Sequence, residues 1–423
     1  MLNKQPLLPV LERFLTPLRP LFDACQRSRN CPEVNDWDWV CAGLARMLSL
    51  ETSGRGFLQQ LRECAQRSLT RSNYFDSLAS KRRLGLLEEL NGLLAAEVND
   101  TIHDALADFK ALDKYDIYAG DGHYRAASTH EQKVKDKKYA VGHFYTLNLR
   151  THALTHLDSA LKTSSRKKEH DMHLLKRMSI KQLRQNAAKG RRVLYVWDCA
   201  GIDFLQWYKW KQGSGIYFVS LEKENMKLEV IGEPDWDAND SINTGVIAYE
   251  MVSTSKGVSV QRVRYRCPRT GKSLHFITNV TDLPPGLIAQ LYKMRWDIEK
   301  VYDQLKNKLG EKKAWGKSNA ARNSQATFTC LAHNLMLLLE HRLKEEEQLV
   351  DEHENKRREK RLKCDSERLS KTGEQIPYAQ QCIQRATQRS QKLIRWLRNH
   401  WWLPTPWQQA INALRITYGI SQA

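Results

Sequence analysis

The chain has 423 residues, 41% hydrophobic and 27% charged, which gives length for about two to four domains and excludes a disordered polypeptide. Lys and Arg number 67 against 48 Asp and Glu, and the formal charge of +19 points to a polyanionic partner, nucleic acid ahead of an anionic membrane surface. No apolar run approaches the ~18 residues of a membrane span, because the best, Leu335 to Leu339, stops at Glu340.

Pro6, Pro9 and Glu12 interrupt the first apolar stretch, so it does not read as a secretory signal. The nine cysteines are scattered without a C-x-x-C pair, which argues for reduced thiols in a cytosol over a zinc ribbon or a disulfide framework.

Residues 1–110 read as helical, with Leu84, Leu86, Leu87, Leu90, Leu93 and Leu94 at helical spacings. Trp37 and Trp39, in a short acidic stretch, are expected in the core. DNA binding by this region is an expectation from position and overall charge, since no helix-turn-helix pattern occurs in it. Tyr115, Ile117 and Ala119 then alternate with Asp116 and Tyr118, predicting a strand that meets a tight turn at Gly120-Asp121-Gly122. Tyr139 to Leu149 adds strand, and residues 157–190 read as helix. Val193 to Trp197 is apolar on both faces, as a buried central strand must be, and ends on Asp198. Residues 212–283 read as all strand, and Pro284-Pro285 opens a long helix. From 341 to 423 the chain reads as helical and basic, with a mixed charge run on a solvated face and a closing cluster of Trp396, Trp401, Trp402 and Trp407. Charge is uneven: residues 161–192 carry 11 Lys/Arg against 2 Asp/Glu, a segment suited to phosphates.

The helix after Pro285 carries three stripes. Leu291, Met294, Ile298, Val301, Leu305 and Leu309 form a core face, and Lys293, Asp297, Lys300, Gln304 and Lys308 a face expected in water. Between them Tyr292, Arg295, Glu299, Tyr302 and Lys306 fall within an arc of roughly 80° at about 100° per residue. Spacing alone allows an ordinary i,i+4 pair between Arg295 and Glu299, worth about 0.2–0.5 kcal/mol. It equally allows a metal-binding carboxylate flanked by phosphate-binding cations and phenols.

Tyr292, Arg295, Glu299 and Lys306 match, without a gap, the Tyr-x2-Arg-x3-Glu-x6-Lys signature of the insertion-sequence transposases called the YREK family, which this chain resembles over roughly residues 115–340. The resemblance implies a ribonuclease-H-like α/β core, residues 111–340, interrupted by a β-rich insertion at about 212–283; the regions at 1–110 and 341–423, helical by their own pattern, flank it and carry no resemblance. It implies a DDE triad of Asp121, Asp198 and Glu299 as catalytic metal ligands, with Tyr292, Arg295 and Lys306 on DNA. The implied cofactor is Mg2+, with Mn2+ as substitute, in a pair of ions that activates the attacking oxygen and supports the leaving one. The implied function is cut-and-paste transposition: cleavage at element ends, through hairpins, and strand transfer into target DNA by a homodimer on paired ends, cytoplasmic and associated with the nucleoid.

Two departures stand out. The strand before the helix, Leu274 to Asn279, lacks the Trp that hairpin-forming members use to stack a flipped base, leaving His275 or Phe276. Cys199 replaces the usual Arg after the second Asp. Among rival residues, Asp116 is expected in solvent and Asp203 at a helix N-cap. His152-x3-His156 has zinc-pair spacing but lacks the Glu of H-E-x-x-H, and His170 and His173 suit water or phosphate. A nuclease or resolvase without strand transfer, and a catalytically silent DNA-binding descendant, are the alternative functions.

Overall fold

The computed structural model describes residues 8–420 apart from 27–33, 52, 66–68, 130, 132, 134–137, 139, 161–170, 310–312, 372, 374 and 378–390. The basic residues Lys162, Arg166, Lys167 and Lys168, and also His170, lie outside the described residues.

Among the described residues six helices come first: α1 (Pro9–Leu15), α2 (Leu18–Ala24), α3 (Asp36–Leu48), α4 (Gly54–Ala65), α5 (Arg71–Leu78) and α6 (Lys81–Thr101). Asn35, Thr70 and Ser80 cap α3, α5 and α6 by accepting from the N–H three residues on. Trp39 is buried as expected, its ring 5.2 Å from Phe328, and the half-buried Trp37 lies under Arg19. The acidic stretch is held inward: buried Asp36 accepts from both Arg82 and Arg83.

Nine strands follow: β1 (Tyr115–Arg125), β2 (Val141–Asn148), β3 (Leu154–Ser159), β4 (Arg192–Val196), β5 (Ile216–Leu221), β6 (Leu228–Gly232), β7 (Val246–Thr254), β8 (Ser259–Arg266) and β9 (Ser273–Thr278). They form one sheet in the order β3-β2-β1-β4-β5-β9-β8-β7-β6, with β1, β4 and β5 parallel and the other pairs antiparallel. Of the strands expected over 212–283, β5 lies beside β4 in the middle of the sheet, and β6 to β9 extend the same sheet outward from it. Three short or medium helices interleave: α7 (Asp171–Arg177), α8 (Ile180–Leu183) and α9 (Phe204–Ser214). After the sheet come α10 (Pro285–Met294), α11 (Trp296–Lys308), α12 (Asn319–Glu347), α13 (Glu352–Ser370), α14 (Gln391–His400) and α15 (Trp407–Tyr418).

Period-two alternation gives the sheet two covered faces. Ile117, Ala119, Leu194, Val196, Tyr217 and Val219 join the larger apolar cluster, which takes in α10, α11, α12, the N-terminal helices and the C-terminal pair α14 and α15. Tyr118, Val193, Tyr195, Trp197, Ile216 and Phe218 face the smaller cluster, under α7, α8 and α9. Leu335 to Leu339 belong to the buried part of α12, and no helix among the described residues is long and apolar enough to cross a membrane.

Several expectations are corrected. Gly120-Asp121-Gly122 is no turn, and β1 runs straight through it. A Cβ on Gly120 would lie 2.4 Å from the Trp197 ring and one on Gly122 2.9 Å from Phe144, so these glycines serve close packing rather than chain reversal. Residues 157–159 finish β3 instead of opening a helix, and among the described residues that follow, helix begins at Asp171. The long helix after Pro285 is two helices, because around Arg295 its N–H is shared between the Leu291 and Tyr292 carbonyls and that of Ile298 bonds Arg295 itself. All six core-stripe residues are buried, and of the stripe expected in water Asp297 and Gln304 are buried too, while Lys293 donates to Tyr265 Oη at 2.9 Å. Asp116, expected in solvent, is buried and accepts from Ala188 N at 2.8 Å while pairing with Arg191.

Candidate active site

Asp121 continues the face of Ile117 and Ala119, and so points to the side on which α11 lies. On the neighbouring parallel strand Ala119 is in register with Val196. Asp198 follows Val196 by two residues in extended backbone (φ −72°, ψ 177°), so alternation carries it onto the same face. Its carboxylate accepts from Ala200 N at 2.8 Å, and Ser220 Oγ donates to its main-chain carbonyl at 3.0 Å. The residues on the opposite face, Gly120 and Gly122, let the Trp197 and Phe144 rings lie close under the strand.

Glu299 reaches this place from α11. Arg295 Nη2 contacts Glu299 Oε1 at 2.8 Å and Nη1 lies 3.9 Å from Asp121 Oδ2, so one buried guanidinium spans the two acids. The i,i+4 pair that spacing allowed is therefore formed. Arg295 Nε, also buried, has no hydrogen-bond partner among the described residues. The guanidinium carbon lies 5.6 Å from the Tyr292 ring centroid and 5.3 Å from that of Trp296, and Tyr292 in turn packs 5.0 Å from Phe276. One turn beyond Glu299, Tyr302 Oη donates to the Asp121 carbonyl at 2.6 Å.

Burial pushes the Asp121 carboxyl up to about 7; Asp198 and Asp171 push it the same way, while the Gly122 N–H and Arg295 oppose them. Asp171, at the start of α7, is raised to about 6 by burial and then by Asp198. Three carboxylates thus feel one another across the ends of β1 and β4. Oxygen donors of this kind suit a hard divalent cation. Among the described residues, however, no three His, Cys, Asp or Glu side chains converge as they stand on one ion position. Asp121 and Asp198 carry oxygen donors of the kind such a cation takes, and the Glu299 carboxylate is engaged by Arg295.

The model of one family, the transposase DDE domain, matches residues 113–335, more than half of the chain. The chain belongs to that family. No curated protein matches the chain. The matched span runs from the start of β1 into α12 and includes Asp121, Asp198, Glu299, Tyr292, Arg295 and Lys306; α1 to α6 and α13 to α15 lie outside it. Divalent metal ions serve DDE transposases in general, in keeping with the donor chemistry of these acids.

The fold thus brings Asp121, Glu299, Arg295 and Tyr292 together, with Asp198 coupled to Asp121 across the strand ends. Lys306 lies in α11, but its side chain is outside the described residues. Asp203 caps α9 by accepting from Gln206 N at 3.1 Å and pairs with Lys176, as its position predicted. His156 meets His143 of β2 at 3.3 Å rather than His152, because the segment is a strand and not a helix. Phe276 is fully buried and so unavailable for base stacking, while His275 stands at the sheet surface beside Glu222. Sequence reasoning missed Asp171, whose only signal was being one of two acids in a basic stretch. It also gave no role to Trp296, 52% exposed next to Arg295 although it stands inside the signature.

Proposed function

We propose that the protein is a DNA transposase of the YREK type that cuts at insertion-element ends and joins them to target DNA. The observation that carries the reading is the arrival of Asp121, Asp198 and Glu299 from two adjacent parallel strands and a helix tied to the first of them. The strand order β3-β2-β1-β4-β5, antiparallel on one side of β1 and parallel on the other, supports a ribonuclease-H-like core with β6 to β9 as its insertion. The formal charge of +19 supports DNA as the partner.

In this reading Asp121, Asp198 and Glu299 hold two Mg2+ ions. When bound, these supply an activated attacking oxygen and charge neutralisation at phosphorus. Arg295 leaves Glu299 for a phosphate oxygen of the cut end, its unpartnered Nε giving a second donor for a bidentate grip. Tyr292 and Lys306 complete the hold on that end. Trp296 offers the stacking surface that Leu274 to Asn279 lacks, which keeps a hairpin intermediate within the mechanism. Two copies act on paired ends.

The test is cleavage and joining of a duplex carrying the element end, in Mg2+. Asp121→Ala, Asp198→Ala and Glu299→Ala each lower cleavage on the order of 10³-fold or more while end binding, read by gel shift, persists. Cleavage without joined products would leave a nuclease, and no cleavage by the unaltered protein a silent DNA-binding descendant. If Asp203→Ala is inactive and Asp198→Ala cuts normally, the second acid is wrongly assigned.

A further inference from the structure

Arg295 and Tyr302 both reach β1 from α11 and its first turn. Arg295 engages the carboxylates of Asp121 and Glu299, and this link is given up whenever those oxygens turn to another cation. Tyr302 engages main chain instead, donating from Oη to the Asp121 carbonyl at 2.6 Å. That link depends neither on the protonation of the acid nor on what it binds. The phenol is buried, with its ring 4.8 Å from His123 and 5.8 Å from Tyr145, whose hydroxyl accepts from Arg125 Nη2 at 2.7 Å.

We infer that Tyr302 is a positioning residue: by fixing the main chain of Asp121 to the helix turn that carries Glu299, it sets the separation of these two carboxylates. The inference rests on the proposal that both acids hold metal. A ligand pair pre-set by the scaffold binds a cation without first ordering itself, and partners one step removed from a metal are commonly worth tenfold or more in affinity. Freed from Tyr302, the carboxylates still bind, but more weakly, and the loss is made good by excess metal.

The experiment uses the full-length protein, kept on ice so that a variant short of one hydrogen bond stays folded, with folding read by circular dichroism. Mn2+ affinity is measured by electron paramagnetic resonance in the absence of DNA, and Mg2+ dependence by cleavage of the end duplex. Tyr302→Phe keeps the ring and removes the donor. It lowers Mn2+ affinity about tenfold, raises the half-saturating Mg2+ by about the same factor, and leaves the rate at saturating Mg2+ within about twofold. Tyr118→Phe, on the strand that carries Asp121, loses a comparable bond from its hydroxyl to the Asn186 carbonyl (2.8 Å) and leaves Mn2+ affinity unaltered. Unaltered Mn2+ affinity in Tyr302→Phe, with Asp121→Asn weakened, overturns the inference alone. Unaltered affinity in Asp121→Asn overturns the metal-binding proposal on which it stands.

Discussion

The two halves of the sheet are built to different rules. In the half from β3 to β5, β2 is buried at every position and β4 at all but its first. In the half from β6 to β9, the edge strand β6 is exposed at its three middle residues, and β7 and β8 alternate between buried and open. Strands covered on both faces have no freedom to slide or turn over, because either movement would put apolar side chains against a mismatched layer. Asp121 stands on such a strand and Asp198 two residues past the end of another, so their positions are inherited from packing on both sides. The outer half needs only one dry face, which leaves its other side free to vary.

The comparison can be broken most forcefully at a core ring. Phe144→Ala, which empties the space under Gly122, costs about 3–5 kcal/mol in urea unfolding, whereas Ile247→Ala on β7, 52% exposed, stays within about 0.5 kcal/mol. Equal costs would show that both halves are packed alike. A smaller effect is expected at Gly120→Ala, where the added carbon meets Trp197. It costs about 1–3 kcal/mol and, because β1 is pushed from behind, also slows cleavage, an effect seen by comparing rate with unfolding free energy. An active, destabilised Gly120→Ala would uncouple the site from its backing.

The smallest effect is graded by pH. Burial, followed by the charge of Arg125, holds the His156 imidazole down to about 3 from its ordinary 6.5, and His143 is lowered for the same leading reason. The folded protein therefore keeps His156 neutral where the unfolded chain takes up a proton. Its contribution is intact above pH 6.5 and is lost as pH falls from there towards 3, at about 1.4 kcal/mol per pH unit at most. Thermal melting between pH 7 and 4 should show a shallower slope for His156→Gln than for the parent. An unchanged slope would mean that the imidazole charges without unfolding the protein.

Much of this arrangement is legible in the sequence where one force acts alone. The run Val193 to Trp197 has no polar side, and a buried parallel strand is what such a run can form. The core stripe from Leu291 to Leu309 follows from helical period in the same way. Legibility fails where two demands meet in one residue. Gly120 and Gly122 resemble turn formers, but their missing side chains make room for rings contributed by β4 and β2, and that need is invisible without the partners. Asp297 and Gln304 are polar and so read as solvated, yet α11 is enclosed on more than its apolar stripe, and Asp297 is held by Lys300 at 3.0 Å. Asp171 is distant in sequence from the other acids and meets them only because α7 returns to the ends of β1 and β4.

The larger apolar cluster also has a consequence in time. Phe14 packs 6.0 Å from Trp401, Arg342 donates to the Arg13 carbonyl at 2.6 Å, Arg398 donates to the Leu48 carbonyl at 2.6 Å, and Trp39 faces Phe328. The N-terminal helices therefore wait for α12 and α14 before their apolar faces are covered. A nascent chain ending anywhere before Trp401 carries oily surface that has no partner of its own, a standing demand on chaperones during synthesis. Synthesis of α14 and Trp401 thus becomes the event that closes the core, and a chain cut short before them is denied a finished scaffold.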